Sequence, residues 1–70
     1  MWEAVVNGEV VYTNSGKLPA AGYLLDLMEQ IRKTKSNKVI FNDKEVTAKT
    51  FELRGFHGVS WKGQFKGDKR

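Results

Sequence analysis

Trp2-Glu3-Ala4-Val5-Val6-Asn7-Gly8-Glu9-Val10-Val11-Tyr12-Thr13 decides how this chain begins to fold. Two runs rich in β-branched and aromatic residues flank Asn7-Gly8. Both central positions of a type I′ turn need positive φ, and Asn-Gly supplies it at little cost. A two-residue loop then sets the register. Val6 is expected opposite Glu9, Val5 opposite Val10, Ala4 opposite Val11, Glu3 opposite Tyr12 and Trp2 opposite Thr13. Trp2, Ala4, Val6 and Val11 would share one side of the ribbon, and Val5, Val10 and Tyr12 the other. Both sides are apolar, so one should pack on a helix and the second needs cover from more chain, a second copy or a partner.

After a turn at Asn14-Ser15-Gly16, the spacing predicts a helix from Leu18-Pro19 to about Lys33. Proline is tolerated in the first turn. Leu24, Leu27, Met28 and Ile31, with Ala20 or Ala21 one turn earlier, keep the spacing of a core-facing stripe. Gly22 weakens the helix, and close approach to the sheet would explain it. Asp26, Glu29 and Gln30 should point outward. Arg32, Lys33 and Lys35 suit the negative end of the helix dipole.

Val39-Ile40-Phe41 reads as a buried strand. Asn42-Asp43-Lys44-Glu45 has capping-box spacing, which would begin a second short helix. The β-branched content of Val46 to Leu53 favours a turn at Asn42-Asp43 and a strand from about Glu45 to Arg54. A last strand, Val59 to Phe65, would follow the Gly55–Gly58 turn. The expected architecture is α+β in ββαβββ order. One amphipathic helix packs on a four- to five-stranded antiparallel sheet, and the last three strands form a meander.

Seventy residues allow one small domain, with residues 66–70 as a candidate flexible basic tail. There is no cysteine, so neither a disulfide nor a thiolate nucleophile is available. The start of the chain lacks the basic and apolar regions of a signal peptide. The most apolar segment, Leu18 to Met28, is broken by Pro19, Gly22 and Asp26. A soluble, cytoplasmic protein with no membrane partner is the expectation.

Charge is unevenly spread. Residues 1–31 hold one cation and four acids, net −3; residues 32–70 hold eleven cations and four acids, net +7. Such a split points to a molecule with one basic side and an anionic partner. Within the last segment, Phe56, His57, Trp61 and Phe65 alternate with glycines and cations. Arg54, Lys62, Lys66, Lys69 and Arg70 are candidate phosphate contacts, and Phe56, Trp61 and Phe65 candidate stacking rings. Strand alternation would put Trp61, Gly63 and Phe65 on one face, and Ser60, Lys62, Gln64 and Lys66 on the other. That separation suits rings buried in a core at least as well as a binding platform. Arg32, Lys33, Lys35 and Lys38 would extend the basic patch if the helix end lies beside the last strand.

Enzymatic chemistry is not expected. His57 is the only histidine and has no carboxylate at a recognised metal-ligand spacing. No nucleophile elbow or phosphate-binding loop is present, and neither a metal nor a cofactor is called for. Gly55-Phe56-His57-Gly58 lacks the pattern that surrounds Gly/aromatic RNA-binding motifs, so no family is named. The function expected is non-catalytic binding of nucleic acid, DNA or RNA, through the basic C-terminal half. The alternative is a protein-binding regulator, inhibitor or assembly factor acting through Val5, Val10 and Tyr12. That alternative includes self-association into a homodimer.

Overall fold

A computed structural model describes residues 1–67 of the chain. Strands β1 (Trp2–Val6) and β2 (Glu9–Asn14) form the N-terminal hairpin, followed by helix α1 (Lys17–Thr34). Strands β3 (Lys38–Phe41) and β4 (Lys44–Thr47) make a second hairpin, β5 (Thr50–Gly55) and β6 (Gly58–Gln64) a third. The class is α+β as expected: the helix packs against an antiparallel sheet ordered β2-β1-β5-β6, and β3-β4 forms a separate two-stranded sheet.

Asn7 and Gly8 take φ of 56° and 82°, so the first turn forms as its sequence requires. The register starts as expected, with Val6 opposite Glu9 and Val5 opposite Val10, and then shifts. Val11 is an extra residue: Tyr12 lies opposite Ala4, Thr13 opposite Glu3 and Asn14 opposite Trp2. Such a bulge changes which side of the strand later residues occupy. Tyr12 therefore turns to the helix side, where it packs against the core that includes Ala4 and Val6. There it stacks on Tyr23, ring centroids 5.0 Å apart, and Tyr23 meets Phe41 edge-on at 5.1 Å. Burial raises the Tyr23 hydroxyl pKa above its ordinary value.

The helix buries Ala20, Leu24, Leu27 and Ile31, with Met28 and Ala21 packed at the margin. Burying a side chain such as leucine contributes roughly 1.5–3 kcal/mol, so this stripe is the main bond between the layers. Gly22 does not mark a close approach to the sheet, contrary to expectation. A Cβ built there meets nothing within 4 Å.

The long strand expected over 45–54 is divided. Asn42 and Asp43 both adopt positive φ and turn β3 into β4. The chain then breaks at Ala48-Lys49 and re-enters the larger sheet as β5, which pairs with β1 and β6. The last three expected strands are thus not one meander. Asn7 holds the break. Its Nδ2 donates to the Thr47 carbonyl at 2.7 Å, and its Oδ1 accepts from the amides of Lys49 and Thr50 at 2.8 and 3.2 Å. Its own amide donates to the Thr50 carbonyl at 2.9 Å.

Two variants test this account. Gly22→Ala adds a methyl group into open space in mid-helix and should stabilise the protein by about 1 kcal/mol, raising Tm by roughly 4–8 °C. An unchanged or lower Tm in a calorimetric scan would count against an unobstructed site. Asn7→Gly keeps the turn but removes three side-chain hydrogen bonds. Urea unfolding should show a loss of about 1–3 kcal/mol.

Candidate functional site

The residues expected at a binding surface fall into three groups in space. The first lies on the sheet face away from the helix. Register places Glu3 beside Arg54 across β1 and β5, and Glu52 beside Lys62 across β5 and β6. Arg54 Nε donates to Glu52 Oε1 at 2.8 Å. Two acids thus alternate with two bases in register, Arg54 ion-paired and Lys62 facing Glu52 without an ion pair among the described residues, and opposite charges facing across a sheet stabilise it locally. Arg54 and Lys62, expected at a nucleic-acid surface, belong to this balanced face.

A second group is the tip of the β5–β6 hairpin, where Phe56 and His57 sit with ring centroids 5.1 Å apart. Phe56 is 88% exposed. With Met1, Trp2 and Val59 these residues line a cleft of about 310 Å³. The tip precedes β6, whereas Lys66 follows it. Seven strand residues, roughly 23 Å at the usual rise, separate them, so the exposed ring and the terminal cations are not brought together.

At the far end of β6 the third group assembles. Gly67 packs so closely on the Ser36–Asn37 backbone that an added Cβ would come within 2.5 Å of the Ser36 carbonyl carbon. Its amide donates to Asn37 Oδ1 at 3.4 Å. Asn37 Nδ2 donates to the carbonyls of Ala48 and Phe65 at 2.7 and 3.0 Å, and the Phe65 amide donates to the Lys49 carbonyl at 2.9 Å. One asparagine thereby joins the helix exit, the β4–β5 break and the chain after β6. The helix end lies beside residues 65–67, just past β6, rather than beside the strand itself.

Arg32 and Lys66 line one cleft of about 160 Å³ with Met28, Ile31 and Phe65. Lys49 lines its neighbour, about 460 Å³, with Asn37, Thr50, Gln64 and Phe65. Lys35, immediately before Ser36, closes the helix. Arg32, Lys35, Lys49 and Lys66 are all exposed, and none forms an ion pair with a carboxylate among the described residues. Lys33 and Lys38 stand nearby but are engaged, Lys33 with Glu29 at 3.9 Å and Lys38 with Glu45 at 3.1 Å. Lys69 and Arg70 lie outside the described residues. Gly67 is buried, so docked chain extends past Lys66, where the tail was expected to begin.

The stacking role expected for Trp61 and Phe65 is corrected. Phe65 is 6% exposed and packs on Phe51 at 5.1 Å. Trp61, half-buried, meets Phe51 edge-on at 4.7 Å. Gly63, between them, leaves space for the Phe51 ring, which a Cβ would approach to 2.9 Å. The rings point inward because that is where the apolar layer is. The proposed protein-contact set is also divided: Val5 is fully buried, Tyr12 is on the helix side, and Val10 alone is exposed.

Sequence reading missed Lys49 and Asn37. Lys49 carried no signal, because its place depends on a strand break that the β-branched run conceals. Among the described residues no group of three His, Asp or Glu side chains is placed to hold a metal ion, and no helix is long and apolar enough to cross a membrane. Compared with protein-family models, curated proteins and solved structures, the chain matches none.

Proposed function

We propose that this protein is a non-catalytic binder of nucleic acid that grips the phosphate backbone with the basic end built from Arg32, Lys35, Lys49 and Lys66. The observation that carries this is that Arg32, Lys49 and Lys66 line two clefts sharing Phe65, with Lys35 at the helix exit next to Ser36, and that none of the four has a carboxylate partner among the described residues. Uncompensated like charge lowers stability and raises affinity for a polyanion. No ring is offered at this end, since Phe65 is buried. Recognition is therefore of phosphate spacing rather than of bases, which favours a duplex over an unstacked single strand and gives little sequence preference.

Lys35 adds a second, local indication. It closes the helix in the left-handed conformation, φ 56°, a position where glycine is normally preferred. A non-glycine residue there costs about 1–2 kcal/mol. Strain kept at an exposed lysine that has no ion pair among the described residues is consistent with selection for charge over stability.

Fluorescence titration of a labelled 20-base-pair duplex at several salt concentrations tests the proposal. Four neutralised phosphates predict a slope of log K against log salt of roughly −3.6. Absence of binding at about 50 mM salt would remove it. Lys35→Gly gives the sharper check: the variant should melt at a higher temperature than the parent while binding the duplex more weakly and with a shallower salt slope. Unchanged duplex affinity in that stabilised variant would exclude Lys35 from the contact.

A further inference from the structure

Strand β2 lies at one edge of the four-stranded sheet and pairs only with β1. No Cα of β2 lies within 8 Å of a Cα in β3 or β4, although hydrogen-bonded strands sit about 4.8 Å apart. The two sheets are thus separated beside β2 by an opening wider than one strand spacing. A cleft of about 400 Å³ occupies it, lined by residues 9–12 of β2, by Tyr23 of the helix, and by Phe41 and Val46 of the small sheet. Val10 and Val11 are exposed there, 43% and 39%.

Two independent features coincide at this opening. One is an unpaired backbone edge, which is a template for another extended chain. β2 carries neither lysine nor proline, and its one edge-blunting feature is the bulge at Val11; the opposite edge, β6, carries Lys62. The other feature is the aromatic row Tyr12–Tyr23–Phe41, set there because the Val11 bulge turns Tyr12 toward the helix. Backbone hydrogen bonds supply affinity in strand addition, and pockets for alternate side chains supply selectivity.

We infer that β2 receives an extended segment of a partner protein by strand addition. The segment lies between β2 and the β3–β4 hairpin, and its alternate apolar side chains rest on Tyr12, Tyr23 and Phe41. Glu9 and Lys44, one charge of each sign, stand at the margins of the cleft, so a segment of low net charge is favoured. Phe41, Asn42, Lys44 and Val46 wall the cleft opposite β2, so an entering chain is bounded on two sides, which favours a free segment over the edge of a second folded sheet. This surface shares no residue with the basic end, so the two inferences stand or fall separately.

A phage-displayed library of random dodecapeptides, panned on the whole chain, supplies the probe. Enriched peptides should alternate apolar and polar residues. As synthetic peptides they should slow amide hydrogen exchange over residues 9–14. Val11→Lys and Val10→Lys, both at exposed positions, should each weaken binding at least tenfold, while Phe56→Ala at the distant hairpin tip leaves it unchanged. N-methylation of alternate peptide nitrogens, which alters no residue of the protein, should abolish binding. The inference fails if no peptide is enriched, if protection falls elsewhere, or if N-methylated peptides bind equally well. It also fails if light scattering reveals a dimer that Val11→Lys dissolves, because the edge would then serve self-association.

Discussion

The contact on which this architecture depends is the grip of Asn7 on residues 47–50. A single side chain accepts two amide protons and donates to a carbonyl, satisfying backbone groups that would otherwise be left open where the chain passes between sheets. Without that passage β4 would have no reason to stop, and β5 would not lie between β1 and β6. Asn7 serves twice over: its backbone suits the left-handed turn, and its side-chain amide bridges to chain 40 to 43 positions away.

Asn37 plays the matching part at the other sheet boundary. Together the two asparagines hold Ala48 and Lys49 in an irregular segment whose polar groups are nevertheless paired. The consequence reaches the basic end directly. Lys49 is carried to the same edge as Lys66 because Phe65 binds the Lys49 carbonyl, and Arg32 joins them because Gly67 docks at the helix exit. The fold also disposes of charge unevenly. Across the open sheet face acids and bases meet in register, and cations without ion pairs among the described residues gather near the negative end of the helix dipole. Cations there stabilise the helix terminus while remaining exposed.

The Val11 bulge shows how one residue can redirect a surface. An unbulged hairpin would have put Tyr12 with Val5 and Val10 on the open face, making a single apolar patch. The extra residue removes Tyr12 from that patch and hands it to Tyr23. The open face becomes mainly polar, and the aromatic surface moves to the edge of β2.

Local chemistry was enough to determine the class, the first turn and the helix. Positive φ at Asn7-Gly8, the stripe Ala20-Leu24-Leu27-Ile31 and the turn residues Asn42-Asp43 act over a few positions and are legible there. Strand alternation likewise favoured inward rings for Trp61 and Phe65 at least as well as exposed ones. Tertiary structure alone decided which cations met. Lys33, Lys38 and Arg54 gained acidic neighbours, Lys62 came to face Glu52, and Lys49 came to line a cleft that shares Phe65 with that of Arg32 and Lys66. Charge has no periodicity to reveal its partner, and a bulge or strand break resets the facing of every later residue. Those outcomes depend on energies distributed over contacts far apart in the chain.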